Sequence, residues 1–171
     1  KATKGQVLKY FSDLDIEDCE VVVNSDASFD NMPGHKSQRG HYLMLAQKGF
    51  SEDHSKCHRV AFMEWRSGRV KRVVRSTLAS EAYSMSEASE AMECMRACLA
   101  ELFSGSEFDL RNWQEASSAR LGVLITDCRS LFDSVARDSG GTNDRRLSLE
   151  MAIQRALQNC RFKWIPTGQC L

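Results

Sequence analysis

The sequence predicts an α/β domain with a mixed sheet of five strands flanked by helices, in which three antiparallel strands come first and later strands add in parallel. Three observations predict it. The first part of the chain alternates short apolar or β-branched runs with turn signals, as in Val21-Val22-Val23 and Val60-Ala61-Phe62-Met63-Glu64-Trp65. From Ser76 the period becomes helical, with Leu78, Ala82, Met85, Met92, Met95, Leu99 and Leu102 on one stripe. A strand, two helices and a last strand follow, and a strand–helix–strand crossover favours parallel pairing.

Residues 1–19 are polar with scattered apolar positions. Val7, Leu8, Phe11 and Leu14 fit a short amphipathic helix, read as a connecting segment, with the domain itself over 20–171. The first strand runs from Glu20 to about Ser28, and Asn31-Met32-Pro33-Gly34 is a turn signal. A second strand is expected over His41–Ala46 and a third over Val60–Trp65, with Ser67-Gly68 turning the chain into Val70–Val74. Ser76 or Thr77 caps a long helix that reaches about Phe103. A polar stretch with a short helix, Gly105–Ser118, leads to the strand Leu121–Asp127. Arg129–Arg137 is helical with Leu131, Phe132 and Val135 inward, and residues 139–143 form a loop. Leu147–Leu157 is helical with Leu149, Ile153 and Leu157 on one face, and Cys160–Ile165 is the last strand.

A chain of 171 residues suits one domain with a sizeable core. Hydrophobic content of 42% with 27% charged residues excludes whole-chain disorder. No apolar run approaches the roughly 20 residues that cross a membrane, and the N-terminus has no signal-peptide pattern. The chain lacks an initiator Met and is expected to be a piece of something longer. Seven scattered cysteines read as free thiols in a reducing, intracellular setting. Cys94 and Cys98 share a helix face and are expected to be buried. Zinc at Cys19, His54, Cys57 and His58 is the poorer reading, because no paired Cys-x-x-Cys supports it.

A net charge of zero hides an uneven distribution. Lys56, Arg59, Arg66, Arg69, Lys71, Arg72 and Arg75 crowd one stretch, and the segment from Glu81 to Glu115 is acidic. Two readings stay open: a nucleic-acid face beside a metal site, or a solvated edge hairpin protected by charge.

Four acids carry the chemistry. Asp26 and Asp127 each end an apolar strand, Glu81 sits in the first turn of the long helix, and Glu150 lies on a later helical segment. Should the two strands be neighbours, the aspartates meet at one end of the sheet, where open α/β sheets bind ligands. Carboxylates gathered inside a compact domain need a cation or a proton, and all-oxygen ligands suit a divalent ion such as Mg²⁺. The pattern points to phosphoryl transfer. Taken singly, the aspartates could cap turns, Glu81 could answer a helix dipole and Glu150 could be an exposed helical residue.

Five segments in order resemble the ribonuclease H domain of copia-type retrotransposon polyproteins. They are Ser25-Asp26-Ala27-Ser28-Phe29, Arg75-Ser76-Thr77-Leu78-Ala79-Ser80-Glu81-Ala82-Tyr83, Thr126-Asp127-Cys128-Arg129-Ser130-Leu131, Arg145-Arg146-Leu147-Ser148-Leu149-Glu150 and Phe162-Lys163-Trp164-Ile165-Pro166-Thr167. The resemblance implies a ribonuclease H-like fold, hydrolysis of the RNA strand of RNA–DNA hybrids, and two Mg²⁺ ions, with Mn²⁺ as a substitute. It implies Asp26, Glu81, Asp127 and Glu150 as catalytic metal ligands, Asp26 bridging both ions. It also implies an upstream reverse transcriptase domain in the same polyprotein. Hybrid contacts are expected from Ser28, Asn31 and Arg129, and phosphate contacts from Lys71, Arg72 and Arg75.

The chain departs from the pattern in two places. The fourth acid is Glu150 rather than Asp, with Asp144 competing for the role, and no His lies between Thr142 and Leu171. These departures support a second reading, a degenerate domain that keeps the fold and binds nucleic acid or braces a neighbouring domain without cleaving. A third, a receiver- or phosphatase-like domain phosphorylated on Asp127, requires a doubly wound parallel sheet.

Overall fold

The computed structural model describes residues 10–32, 34, 36–53, 56–137 and 144–169. Its strands are β1 (Cys19–Met32), β2 (Lys36–Gln47), β3 (Val60–Arg69), β4 (Gly122–Thr126) and β5 (Cys160–Trp164). Its helices are α1 (Thr77–Ser104), α2 (Trp113–Ser118), α3 (Arg129–Ala136) and α4 (Arg145–Ala156). The sheet order is β3-β2-β1-β4-β5. β1 to β3 form an antiparallel meander, while β4 joins β1, and β5 joins β4, in parallel. The mixed five-stranded sheet is as the sequence predicts, and the antiparallel meander excludes the doubly wound receiver-like reading.

Burial follows position in the sheet. Interior strand β4, between β1 and β5, is buried at every residue, as a strand covered on both faces must be. Edge strand β3 is largely exposed. Val21 and Val23 of β1 face α1, which sends Ala82, Met85, Ala88 and Met92 into the same cluster. Each wholly buried Met or Val contributes about 1.5–3 kcal/mol. Val22, Met44, Ala46, Val123 and Ile125 form a second cluster on the opposite face, packed against Phe50 and Val60. A loop crosses this face: Arg161 of β5 donates to Ser51 Oγ at 2.7 Å and to Glu52 at 3.0 Å.

Ser76 caps α1 by accepting from the Ala79 N–H at 3.1 Å. Gly105 ends the helix at φ 54°, its N–H returning to the Glu101 carbonyl. Gly122 is required by close approach, because a Cβ there would lie 2.9 Å from Met92 and from Cys160 Sγ. Arg96 is wholly buried in the middle of α1. Its guanidinium donates to the carbonyls of Ser117 (3.0 Å) and Gln158 (3.1 Å) and pairs with Glu93, so a charge ties the helix to the ends of α2 and α4.

Several expectations are corrected. Ser67-Gly68 does not turn: β3 runs through it because Gly40 and Arg39 of β2 continue the ladder opposite, and 70–74 is not a strand. The basic stretch is therefore an edge strand followed by an irregular segment, not a hairpin. Residues 10–18 form turns, with Leu14 N–H bonded to the Phe11 carbonyl, rather than a helix; Val7 and Leu8 lie outside the described residues. So do Pro33 of the expected turn, the loop 139–143 and His54. Leu102, in the last turn of α1, is exposed rather than on the buried stripe. Cys94 and Cys98 are exposed, as is Cys57. On α4 the buried positions are Leu147, Met151 and Gln154, whereas Leu149 and Ile153 face outward. No helix among the described residues is long and apolar enough to cross a membrane.

Candidate metal centre

The parallel register pairs Asn24 with Ile125. Two residues further along each strand lie Asp26 and Asp127, so parallel pairing alone brings these aspartates to one end of the sheet. Asp26 is exposed on β1, and its backbone carbonyl accepts from Ser84 Oγ of α1 at 3.0 Å. Ser84 Oγ also reaches the Gly40 carbonyl at 3.3 Å, fastening the helix to both strands beside the site. Asp127 follows β4, and the last strand anchors it. Its Oδ2 accepts from Thr167 Oγ1 at 2.8 Å, and its carbonyl accepts from Trp164 Nε1 at 2.9 Å.

Glu81 completes the group. It is the fifth residue of α1 and lies beyond the first turn, which corrects the expected first-turn placement and the helix-dipole role that goes with it. There the helix packs on the sheet, and Glu81 is 4% exposed. Asp26, Glu81 and Asp127 each offer one oxygen, and these oxygens lie within 4.8 Å of one another. Glu81 Oε2 is buried and has no hydrogen-bond partner. Burial, then the charges of Asp26 and Asp127, push the Glu81 carboxyl up to about 8. Asp26, exposed as a residue but with a carboxyl partly desolvated by the cluster, is also raised, by that desolvation first and Asp127 second, with a backbone hydrogen bond at Ala27 opposing the shift in both.

The donors present fit a divalent cation. They are all oxygens and they converge, and Glu81 in addition has a buried oxygen without a hydrogen-bond partner, as a carboxylate awaiting a cation does.

Glu150 is not among the three converging carboxylates. It sits on α4 with Oε2 accepting from Ser86 Oγ at 2.7 Å and Oε1 3.7 Å from Arg72. Asp144 caps α4, accepting from the N–H groups of Arg146 (2.9 Å) and Leu147 (3.4 Å). The expected nucleic-acid contacts differ in their surroundings. Ser28 shares a recess of about 290 Å³ with Asp26, Gln38, Arg39 and Ser67. Asn31 and Lys71 are exposed. Arg72 lies over the Tyr83 ring at 5.5 Å. Arg75 lines a recess of about 730 Å³ with Arg145 and Arg146, between the starts of α1 and α4. Arg129 stacks over Trp164 at 4.8 Å and pairs with Asp133.

Ser84, Ser86, Thr167 and the Arg39–Glu87 ion pair were not singled out from sequence. A serine inside a helical stripe carries no outward signal, although Ser80, Ser84 and Ser86 on the buried side of α1 break its apolar pattern. The zinc reading finds no support among the described residues, which do not include His54: Cys19 Sγ donates to the Ile16 carbonyl, His58 bonds the Asp53 carbonyl, and among those residues the three carboxylates are the only group with metal-compatible spacing.

No protein-family model and no curated protein matches the sequence. Solved structures do match. A foamy viral protease–reverse transcriptase in complex with an RNA/DNA hybrid aligns over 98% of this chain and 20% of its own, with 10% identity and a TM-score of 0.50. Ribonuclease H1 from the halophilic archaeon Halobacterium salinarum shows 13% identity over 87% of each chain, with a TM-score of 0.49. The N-terminal ribonuclease H domain from Mycobacterium tuberculosis, solved as a fusion with maltose-binding protein, shows 10% identity over 88% of this chain and 85% of its own, also with a TM-score of 0.49. Strand order, strand direction and the position of α1 across the sheet give this chain the ribonuclease H fold.

Proposed function

We propose that the protein is a metal-dependent ribonuclease H that hydrolyses the RNA strand of RNA–DNA hybrids, and that it is the ribonuclease H domain of a copia-type retrotransposon polyprotein, working beside a reverse transcriptase domain. The observation that carries the reading is the convergence of Asp26, Glu81 and Asp127 within 4.8 Å at one end of a ribonuclease H-type sheet.

Asp26, Glu81 and Asp127 would hold Mg²⁺, with Mn²⁺ as a substitute, and Glu150 is the proposed fourth carboxylate. When bound, the divalent ions supply Lewis-acid activation of water and charge stabilisation at the phosphate. The chain does the rest. Thr167 and Trp164 hold Asp127 in place, and Ser84 locks α1 against β1, so the oxygens are oriented before substrate arrives. The raised Glu81 carboxyl releases its proton as a cation enters. Ser28 in the recess beside Asp26 is placed to meet a 2′-hydroxyl, the group that separates RNA from DNA. Lys71, Arg72 and Arg75, after the edge strand, contact phosphates, so affinity falls with added salt.

Glu150 favours a second reading. It is engaged by Ser86 and Arg72 rather than gathered with the other acids, as expected of a domain that keeps the fold and binds nucleic acid without cleaving it. One experiment separates the two. A labelled RNA–DNA hybrid is incubated with the protein in Mg²⁺, Mn²⁺ or EDTA, beside Asp26→Asn. RNA-strand cleavage that needs metal and disappears in the variant supports the nuclease. Hybrid binding without cleavage by the folded chain supports the second reading.

A further inference from the structure

The helical layer carries an apolar groove of about 700 Å³, none of whose lining residues belongs to the metal centre. Its walls include Cys94 and Ala97 of α1, Leu110 and Trp113 at the start of α2, and Ile153 and Leu157 at the end of α4. Leu110 is 74% exposed and Ile153 52%. The groove follows from the pattern of α4, which carries two apolar stripes. Leu147 and Met151 face the core, Leu149 and Ile153 are left exposed, and Leu157, partly buried against the core, lines the groove beside Ile153. Contiguous exposed apolar surface of this kind marks an interaction site more often than chance exposure does.

The chemistry of the occupant is set by what surrounds the groove. Helices wall it on both sides, and their backbone groups are already paired, so an occupant must satisfy its own backbone hydrogen bonds. A helix does so; an extended peptide does not. The sheet edges, where a strand would add, are β3 and β5. Charge decides the rest. From Glu90 to Glu115 the chain carries Glu90, Glu93, Glu101, Glu107, Asp109 and Glu115 against Arg96 and Arg111. Arg96 is wholly buried and paired with Glu93, so the surface excess rests on the other five acids, all exposed, against Arg111. Two copies of this chain meeting through the groove would oppose acidic surfaces, and nucleic acid would be repelled.

We propose that this groove docks a basic amphipathic helix of a partner protein. Apolar side chains one turn apart fill the space between α1 and α4, and flanking Lys or Arg residues meet the acidic surface of α1 and α2.

The test uses a Leu/Lys helical peptide with leucines at helical spacing, a Leu/Glu counterpart, and a scrambled Leu/Lys peptide of the same composition. Binding is read as protection of Cys94 from alkylation by iodoacetamide, resolved by mass spectrometry. Cys57, exposed and outside the groove, is the internal control. The Leu/Lys peptide is expected to slow alkylation of Cys94 about fivefold or more and to leave Cys57 unchanged, while the other two peptides protect neither. Leu110→Asp and Ile153→Asp alter exposed side chains and should leave the circular dichroism spectrum intact, yet weaken peptide binding about tenfold or more. Equal protection by the scrambled peptide, equal protection of Cys57, or undiminished binding by folded variants would overturn the proposal. So would protection of Cys94 that rises with protein concentration without peptide, since that identifies a second copy as the occupant.

Discussion

Glu20 opens β1 at one end of the sheet and Glu81 faces the other end from α1; both are almost wholly buried, 3% and 4% exposed. Glu20 is fully engaged. One oxygen accepts from the Gly49 N–H at 2.8 Å and the other from the Ser51 N–H at 3.0 Å, and together they pin the loop that crosses the open face of the sheet. Glu81 has one buried oxygen without a partner, two acids for neighbours, and a carboxyl pushed up to about 8. A buried carboxylate that ends in backbone N–H groups is part of the architecture, whereas one that ends among other carboxylates is unfinished until a cation or proton arrives. The difference teaches where to look for function: not at burial, and not at charge, but at charge whose partners the fold withholds.

The largest expected effect is on catalysis. Asp26→Asn should lower hybrid cleavage by more than about a hundredfold, at least the scale of losing an outer partner of a metal site, with little change in melting temperature, because Asp26 is exposed. Undiminished cleavage would remove the site from the three acids.

Next comes the pH dependence of stability. Folding raises the Glu81 pKa from 4.5 to about 8. The folded chain therefore binds the proton more tightly than the unfolded chain. That advantage is complete below about 4.5 and is lost as pH rises through 8, at up to about 1.4 kcal/mol per pH unit. Burial lowers the pKa of His41, so its contribution is lost as pH falls below 6.5, and the window from 6.5 to 8 isolates the acids. Urea unfolding of the metal-free protein should show stability falling across that window. Glu81→Gln should flatten the fall, and Mg²⁺ should offset it. A slope identical in the variant would erase the electrostatic half of the contrast.

Glu20→Gln should act in the opposite sense. The amide must turn an NH₂ toward one of two N–H donors, which costs about 1–3 kcal/mol at every pH in that window and leaves cleavage intact. A neutral result would mean that the loop holds without Glu20.

The smallest effect is expected at Glu150. Because Ser86 and Arg72 already engage it, Glu150→Gln should lower cleavage less than Asp26→Asn does, by about tenfold. An unchanged rate would remove Glu150 from the metal set. Asp144→Asn, which keeps the cap on α4, then tests the remaining acid.

How much of this was legible in the sequence depended on whether the signal was local. The strands carrying Asp26 and leading to Asp127 were visible as apolar runs, and the long helix as a stripe with a Ser cap, because each is written in consecutive residues. Asp26 does not end its strand, as the apolar run suggested: β1 continues to Met32 because β2 pairs with it beyond Asp26, and the aspartates meet where the parallel ladder between β1 and β4 stops. The Ser67-Gly68 turn was misread because the ladder with β2 outweighs a local turn preference. Which face of α4 points inward was not legible because the helix has two apolar stripes, and only tertiary packing selects Leu147 and Met151 over Leu149 and Ile153.

By itself, then, the sequence determined the order and type of the main elements from β1 onward, the five-stranded mixed sheet and the identity of the acids, since periodicity acts over a few residues, whereas the segments at 10–18 and 67–74 were decided by their surroundings. Tertiary structure alone decided that Glu20 is paired and Glu81 is not, that Glu150 turns to Ser86, that Arg96 is buried, and that one stripe of α4 is left bare. Those outcomes depend on which groups from distant parts of the chain arrive beside one another, and a carboxylate's burial and partners have no counterpart in its own local sequence.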